Sequence, residues 1–495
     1  MKLRKFLKVL LTTTMILSLT ACGNAQDSVN MNLVDDVGTE IEETEAVDID
    51  VEENSNSGND NVQAYNIQNE DNQTQDDKGE YIQVGDFQTT ADIEETVLVD
   101  ENDIKITATE LSCSKNYAEL KLLIENNSDE DYSFISGSMG YSCNSVNGYM
   151  IEDGYLNADV AAGKKSNESI KFNIEGLKIY GITEIADIQI GFKIQDSDYD
   201  SFYTGPRQIK TSSADLYDYN TDTFKKSINS GIWESVYDCT IDYYAENELH
   251  DQNDVRIISE AFMTNKDGEK IILLEIQNDS QELIYGVTSN ILVNGVVFYS
   301  SDWFGDTINP NTKRIMDLSL SSMLDRSYWD ILGFSEVVDF AFSFELQDTD
   351  YEEIKAAEEI SISLSDEKAT IDDSGTEVYN EDGIRIISKG LIEDSSDYSD
   401  DIHMLLLVEN NYTETISIDD SYGSLSVNGF MTDCIASSRK VPAGKYTVID
   451  VEMQSSSLED NNISGIEDIT EAEITLEIKG NNYKKVAEPT IAVSY

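Results

Sequence analysis

The stretch LLLVENNYTETI, residues 405–416, reads as a buried strand that ends on asparagine and turns. The same phrase stands earlier as LKLLIENNSDED at 120–131 and as IILLEIQNDSQE at 271–282. Leu120, Leu122 and Ile124 match Ile272, Leu274 and Ile276, and then Met404, Leu406 and Val408; each strand closes on Asn126, Asn278 or Asn410. Apolar residues at alternate positions put one face of a strand into a core. A strand and turn that recur along the chain mark a repeat, which has to be recognised before any fold is assigned.

Outward from this strand the repeat extends in both directions. Before it come ETVLVDENDIKI (95–106), ENELHDQNDVRI (246–257) and TEVYNEDGIRI (376–386), two short strand-like runs about an acidic turn. After it come Val146-Asn147-Gly148, Val293-Asn294-Gly295 and Val427-Asn428-Gly429. Asn-Gly between apolar runs is a strong hairpin signal, because both residues tolerate the positive φ of a type I′ turn. Lys164, Lys313 and Lys445 then end VAAGK, NPNTK and VPAGK, which read as equivalent turns. Next, GITEI, GFSEV and GIEDI lead into strands with Ile188, Ile190, Phe192 and Ile194, with Phe340, Phe342, Phe344 and Leu346, and with Ala472, Ile474, Leu476 and Ile478. QDSDYDSFY, QDTDYEEIK and KGNNYKKVA turn the chain into a last strand.

Each block is thus about 110–120 residues of short strands, with no long amphipathic helix. The expected class is all-β: three tandem immunoglobulin-like antiparallel β-sandwich modules, since two facing sheets bury the alternating faces. A small barrel of the same strands is the alternative, and the Cys, Trp, Cys spacing of antibody domains is missing. The boundaries read as module one at 96–211, a connector at 212–245 with a short helix near Phe224 to Ile228, module two at 246–364, a linker at 365–375 and module three at 376–495.

The N-terminal region differs. Lys2, Arg4, Lys5 and Lys8 precede an apolar stretch from Val9 to Leu19 that is too short for a stable membrane span, as in an export signal, here 1–21. Leu19-Thr20-Ala21-Cys22 resembles the lipobox of bacterial lipoprotein precursors, which implies diacylation of the Cys22 thiol and a chain tethered outside the cytoplasmic membrane. Two or three acyl chains suffice for stable anchoring where one does not. Residues 22–95 are rich in Asp, Glu, Asn, Gln, Ser and Thr and are expected to be a disordered acidic linker. Stretched out, such a segment reaches on the order of 240 Å, and as a coil nearer 50 Å.

The lipobox, the acidic spacer and the tandem blocks with IENN, VNG and AGK turns resemble surface lipoproteins of Firmicute-type bacteria that carry repeated immunoglobulin-like domains of uncharacterised function. The resemblance implies an extracytoplasmic β-sandwich protein and no activity.

Composition narrows the chemistry. Thirty-three basic against 97 acidic residues leave a net charge of -64, which excludes nucleic acid as a partner on electrostatic grounds. Apart from Cys22 there are Cys113, Cys143, Cys239 and Cys434; none has metal-ligand spacing, and Cys113 and Cys143, in one block, leave both a disulfide and free thiols open. The two histidines, His250 and His403, are too few for a triad or a His-rich zinc site, and no nucleophile elbow or phosphate loop is present. No enzyme, cofactor or metal is therefore expected. Asp196, Asp198 and Asp200, and Asp348, Asp350 and Glu352, alternate like calcium ligands but lack the glycine and late glutamate of such loops, and read as solvated hairpin tips. Tyr299, Trp303 and Phe304 in FYSSDWFGDT are the candidate binding patch. The expected function is an envelope-anchored protein that presents its modules to a cell-wall or protein ligand or acts as a stalk; the alternative is an extracytoplasmic solute- or calcium-binding protein.

Overall fold

The computed structural model describes residues 85–137, 143–266, 268, 270–299, 304–319, 328–393 and 401–495. The signal stretch 1–21, Cys22 and the linker as far as residue 84 lie outside the described residues. The chain is all-β: strands take 54% and helices 9%, so sheets supply most of the cores. The unit from Tyr81 to Tyr495 is compact. No helix among the described residues is long and apolar enough to cross a membrane.

The repeated phrases fold alike. Each block opens on a tight hairpin: Thr96–Glu101 with Ile104–Cys113, His250–Gln252 with Val255–Asn265, and Thr376–Glu381 with Ile384–Glu393. The turns place Asn102-Asp103, Asn253-Asp254 and Asp382-Gly383 at positive φ, where Asn, Asp and Gly are least strained. Each hairpin pairs with the buried strand, Tyr117–Asn126, Lys270–Asn278 or Ile402–Asn410. That strand pairs in turn with a closing strand, Lys165–Asn173, Thr312–Ser319 or Tyr446–Met453.

The asparagine that ends each buried strand is fully buried and makes the same three bonds. Its amide donates to Glu130 O, Glu282 O or Glu414 O at 2.7–3.0 Å and to Val160 O, Ile308 O or Val441 O at 2.8–2.9 Å. Its carbonyl accepts from the N–H of Ser128, Ser280 or Tyr412 at 2.9–3.1 Å. One side chain therefore satisfies three backbone groups that the turn removes from water.

The Asn of Val-Asn-Gly also has two roles. Asn147, Asn294 and Asn428 sit at φ of 50°, 52° and 51° ahead of a positive-φ glycine, as the type I′ turn demands. Their amides donate to Glu184 O, Glu336 O and Asp468 O at 2.7–2.9 Å, so they also hold the GITEI, GFSEV and GIEDI lead-ins. Their side-chain carbonyls accept from Ala186, Val338 and Thr470 N–H at 2.7–2.9 Å. The recurrence of lead-in and hairpin together is thus one contact.

One expectation is corrected in register, and the pairing that the sequence leaves open is decided. Glu125, Gln277 and Glu409 face Lys165, Lys313 and Tyr446. Lys313 is therefore equivalent to Lys165 rather than Lys164, and Thr312 is the counterpart of Lys164 and Lys445. NPNTK begins one residue later in the turn than VAAGK and VPAGK, with Asn311 taking the left-handed place of Gly163 and Gly444. Cys113 and Cys143 are both free thiols, packed against different apolar clusters, so no disulfide joins them.

Sheets also run through the boundaries drawn from sequence. One sheet orders Arg207–Lys210, Asp187–Ile190, Asn144–Val146, Tyr149–Ile151, Thr312–Ser319, Lys270–Asn278, Val255–Asn265 and Cys239–Ala245. Another orders Glu353–Ser363, Asp339–Gln347, Ile284–Val293, Val296–Tyr299, Tyr446–Met453, Ile402–Asn410, Ile384–Glu393 and Thr376–Glu381. The segment read as a connector contains two short helices, Thr223–Ile228 and Ile232–Tyr237, and then the strand Cys239–Ala245. Asp222 caps the first of these helices by accepting from Lys225 N–H at 2.8 Å. At the other end of the first block, Ala91 is buried and Ile93 bridges Thr211, so the last residues assigned to the linker pack on the fold.

Three apolar clusters fill the interior, centred on Phe134, Phe172 and Phe192, on Phe340, Phe342 and Phe344, and on Leu406, Ile474 and Leu476. The clusters share sheets. Ile272, Leu274 and Ile276 face the second cluster, while Ile271 and Leu273 on the opposite face join Phe224 and Trp233 in the first. Leu406 faces the third cluster, and Leu405 and Leu407 face the second. In the first block the counterpart of Leu273 and Leu405 is Lys121, which is exposed. The first buried strand thus alternates, whereas the other two are apolar on both faces, as doubly covered strands are.

Asn278→Ala is expected to lower the unfolding free energy by roughly 2–4 kcal/mol, since it leaves a buried amide and two carbonyls without partners. Denaturant titration of the variant against wild type measures this, and a change below the usual surface-mutation range would contradict the assigned role.

Candidate functional site: the block junctions and the acidic turns

At each boundary the Val-Asn-Gly hairpin of one block extends the sheet of the next. Tyr149 pairs with Lys313 in parallel, and Lys313 N–H donates to Gly148 O at 2.7 Å. Val296 and Val297 pair in parallel with Tyr446 and Thr447, and Tyr446 N–H donates to Gly295 O at 3.2 Å. The Thr447 hydroxyl adds a bond to Val297 O at 2.8 Å.

The first junction encloses a polar cluster. Glu275, fully buried, accepts from the Tyr149 hydroxyl at 2.7 Å, from the Ser259 hydroxyl at 2.7 Å and from Lys313 Nζ at 3.1 Å. Lys313 Nζ also stands 5.2 Å from the centre of the Tyr149 ring. Beside it, buried Arg314 pairs with Asp306, with Glu152 at 2.6 Å and with the Cys143 sulfur at 3.2 Å. A charge this deep persists only because each of its neighbours is an acceptor. Burial pushes the Cys143 thiol up to about 11, and it is chemically quiet. Burial raises the Asp306 carboxyl to about 6 against the opposing pull of Arg314, and it also raises Asp317 and Asp222. A groove of about 170 Å³ opens at this junction between Tyr217, Tyr219, Thr221, Gln277, Asn311 and the hairpin. It admits a few water molecules and no convergent catalytic set. A second cavity of about 330 Å³, beside Ile402, Leu458, Glu459 and Ile463, is equally without one.

The acidic turns are built alike. Asp196 Oδ1 accepts from Asp198 N–H and Asp200 N–H at 2.9 Å each, and Asp348 Oδ1 accepts from Asp350 N–H and Glu352 N–H at 2.9 Å each. The first carboxylate of each turn is thereby spent on its own backbone. In the third block Gly480 N–H donates to Lys484 O at 2.8 Å, the counterpart of Asp196 N–H to Asp200 O and Asp348 N–H to Glu352 O. All three turns place a tyrosine in the left-handed region: Tyr199 at 68°, Tyr351 at 62° and Tyr483 at 57°. Glycine or asparagine ordinarily takes that place. The three residues are 81%, 58% and 87% exposed, and the Tyr351 ring lies against Tyr285, 5.1 Å between ring centres. Sequence reading attended to the acids around them and passed over the tyrosines, although QDSDY, QDTDY and KGNNY carry one at the same offset.

The remaining sequence candidates stand apart. Among the described residues no group of three or more His, Cys, Asp or Glu comes together as a metal site. His250 is buried against Glu358 at 2.7 Å, a contact between two sheets, and His403 against Asp450 at 2.8 Å, within one sheet. Trp303 lies outside the described residues. Tyr299 ends the strand Val296–Tyr299 and Phe304 begins Phe304–Ile308.

The raised carboxyl of Asp306 makes the first junction sensitive to pH. Its folded value, about 6, lies above the ordinary 3.8, so between these values the folded chain holds a proton that the unfolded chain has lost. Stability contributed by this group falls as pH rises through that window. In Asp306→Asn the dependence should vanish: relative to wild type, the variant should gain on the order of 1–2 kcal/mol between about pH 4 and about pH 7. The figure is below the full shift because the carboxylate side chain keeps 29% of its surface open to water. Urea unfolding of both proteins across that range measures the difference.

No family profile matches the chain, and no curated protein matches it. Among solved structures it is similar to red sea bream transglutaminase, at 7% identity and a TM-score of 0.14 over 54% of this chain, and it spans only 31% of that enzyme's length. It is also similar to the Amycolatopsis orientalis exo-chitosanase CsxA, at 7% identity and a TM-score of 0.16 over 82% of this chain and 78% of that one. A biofilm-associated protein, in its BSP domain, matches at 9% identity and a TM-score of 0.12 over 85% of this chain and 68% of that one. Likenesses this distant carry no argument about activity or ligand.

Proposed function

We propose that the chain is an envelope-anchored display protein. Cys22 carries the lipid, the residues from there to about 85 form the spacer, and three immunoglobulin-like modules present surface to a cell-wall or protein ligand outside the membrane. The observation that carries this reading is the exposed tyrosine at a strained left-handed position in each block. A non-glycine residue there costs roughly 1–2 kcal/mol, which in the second block the contact of the Tyr351 ring with Tyr285, 5.1 Å between ring centres, offsets in part. Strain that folding does not need is characteristic of recognition sites. One such ring on each block suits a ligand that is itself repetitive, where several weak contacts add through avidity.

Replacing all three residues, in Tyr199→Gly, Tyr351→Gly and Tyr483→Gly together, separates recognition from stability. Glycine relieves the turn strain, and its own loss of chain entropy offsets part of that gain by about 0.5–1 kcal/mol per site. The melting temperature is expected to hold or rise, while retention on purified cell-wall sacculi and on immobilised envelope protein falls at least tenfold. Unchanged retention on both would refute the display role of these rings. For the anchor, Cys22→Ser is expected to abolish fatty-acid labelling and membrane retention together. Titration calorimetry of residues 81–495 with Ca²⁺ tests the alternative, in which heat and a raised melting temperature mark an ion-binding protein.

A further inference from the structure

The two junctions inside the chain obey one rule. An N–H at the start of a closing strand donates to the glycine carbonyl of the preceding hairpin, at Lys313 to Gly148 and at Tyr446 to Gly295, with the strands parallel. Each junction makes one sheet from two halves: a hairpin with its lead-in strand, and a closing strand with the buried strand and opening hairpin behind it. Both halves of another such sheet are present at the two ends of the described fold, and each has an open edge.

At one end is the third block's hairpin. Among the described strands, Phe430–Met431 pairs only with Ser426–Val427. Phe430 is 53% and Met431 63% exposed, whereas the residues at the same positions in the other hairpins, Tyr149, Met150, Val296 and Val297, are at most 4% exposed. At the other end, Lys165–Asn173 pairs, among the described strands, only with Tyr117–Asn126, although its counterparts Thr312–Ser319 and Tyr446–Met453 are paired on both sides. The side chains correspond as well. Lys313 stands over the Tyr149 ring at the first junction, and the equivalent pair is Lys165 with Phe430, a lysine and an aromatic ring that attract in the same way.

We propose that the hairpin Ser426–Met431 docks in parallel on the open edge of the first closing strand of a second copy of this chain. Gly429 O accepts from the N–H of the partner's Lys165, and the partner's Lys165 ammonium covers the Phe430 ring. The contact is head to tail, so it leaves a free hairpin and a free edge at the two ends of every pair and grows into open chains. It is a loose contact by construction. Asn167 and Glu168 occupy the edge where the second and third blocks have Ile315 and Met316, and Val448 and Ile449, and polar edges restrain strand addition. The net charge of -64 adds a repulsion that salt screens, so association strengthens as salt rises.

Residues 81–495 form one compact unit that holds all three cores, and sedimentation velocity on this unit tests the proposal. At about 0.5 M NaCl the mean mass should climb with protein concentration through dimer to larger species, and it should climb less at about 0.05 M. The double variant Phe430→Lys, Met431→Lys and the separate variant Lys165→Glu should each stay monomeric. All three side chains lie at the surface, so circular dichroism should be unchanged; Lys165 also pairs with Glu125, so a small fall in melting temperature is expected for Lys165→Glu and none for the hairpin variant. An equimolar mixture of the two variants should form dimers and nothing larger, because one supplies the only intact edge and the other the only intact hairpin. A wild-type unit that remains monomeric at both salts, self-association that survives in the hairpin variant, or a mixture that stays monomeric would each overturn the proposal.

Discussion

A β-hairpin satisfies only half of its backbone; the outer edge of its second strand needs either water or another strand. In this chain the Val-Asn-Gly hairpins of the first two blocks resolve that need by pairing with the next block, through Lys313 to Gly148 and Tyr446 to Gly295. The blocks therefore do not meet like beads on a thread. Their sheets are common property, and a strand such as Lys270–Asn278 packs one face into its own cluster and the other under Phe224 and Trp233. Burial on both faces removes more apolar surface from water than a surface strand can, at about 25 cal/mol per Å².

Buried polar groups adjust this shared framework without supplying its main stability. Asn126, Asn278 and Asn410 answer three backbone groups apiece, and the three hairpin asparagines tie each turn to the lead-in of the penultimate strand. Such bonds fix register more than they add net energy, since water makes comparable bonds in the unfolded chain. The ionic cluster around Arg314 and Glu275 belongs to the first junction alone. The second junction has Val297 and Thr447 in its place, so the chain uses one geometry with two chemistries.

Function follows from what the repeats leave outside. With the first carboxylate of each acidic turn bonded to its own backbone in two blocks, the acids at the tips serve the turn, and the element common to all three is the tyrosine that follows. In every block the turn joins an inner strand to an edge strand, since among the described strands Ser201–Tyr203, Glu353–Ser363 and Lys485–Ala487 each pair only with the strand before the turn. Both histidines are occupied by carboxylates, His250 between two sheets and His403 within one, which gives them structural work.

The sequence by itself determined the repeat, the all-β class, the Asn-Gly turns and the alternating core positions, from Ile188 to Ile478. These are properties of near neighbours along the chain: side-chain period, and the φ that a given residue tolerates. Some of the rest was written but easy to pass over, such as the unbroken apolar runs at 271–274 and 404–408 that mark doubly covered strands, and the tyrosine in each acidic turn. Only the tertiary structure decided the one-residue shift at NPNTK, the free Cys113 and Cys143, the strand Cys239–Ala245 and the sharing of sheets between blocks. Each of those depends on which backbone edge or which face of a strand lies beside a segment distant along the chain, from the 26 residues between Cys239 and Asn265 to the 164 between Tyr149 and Lys313. Local pattern can announce an open edge, but only the packed chain selects what closes it.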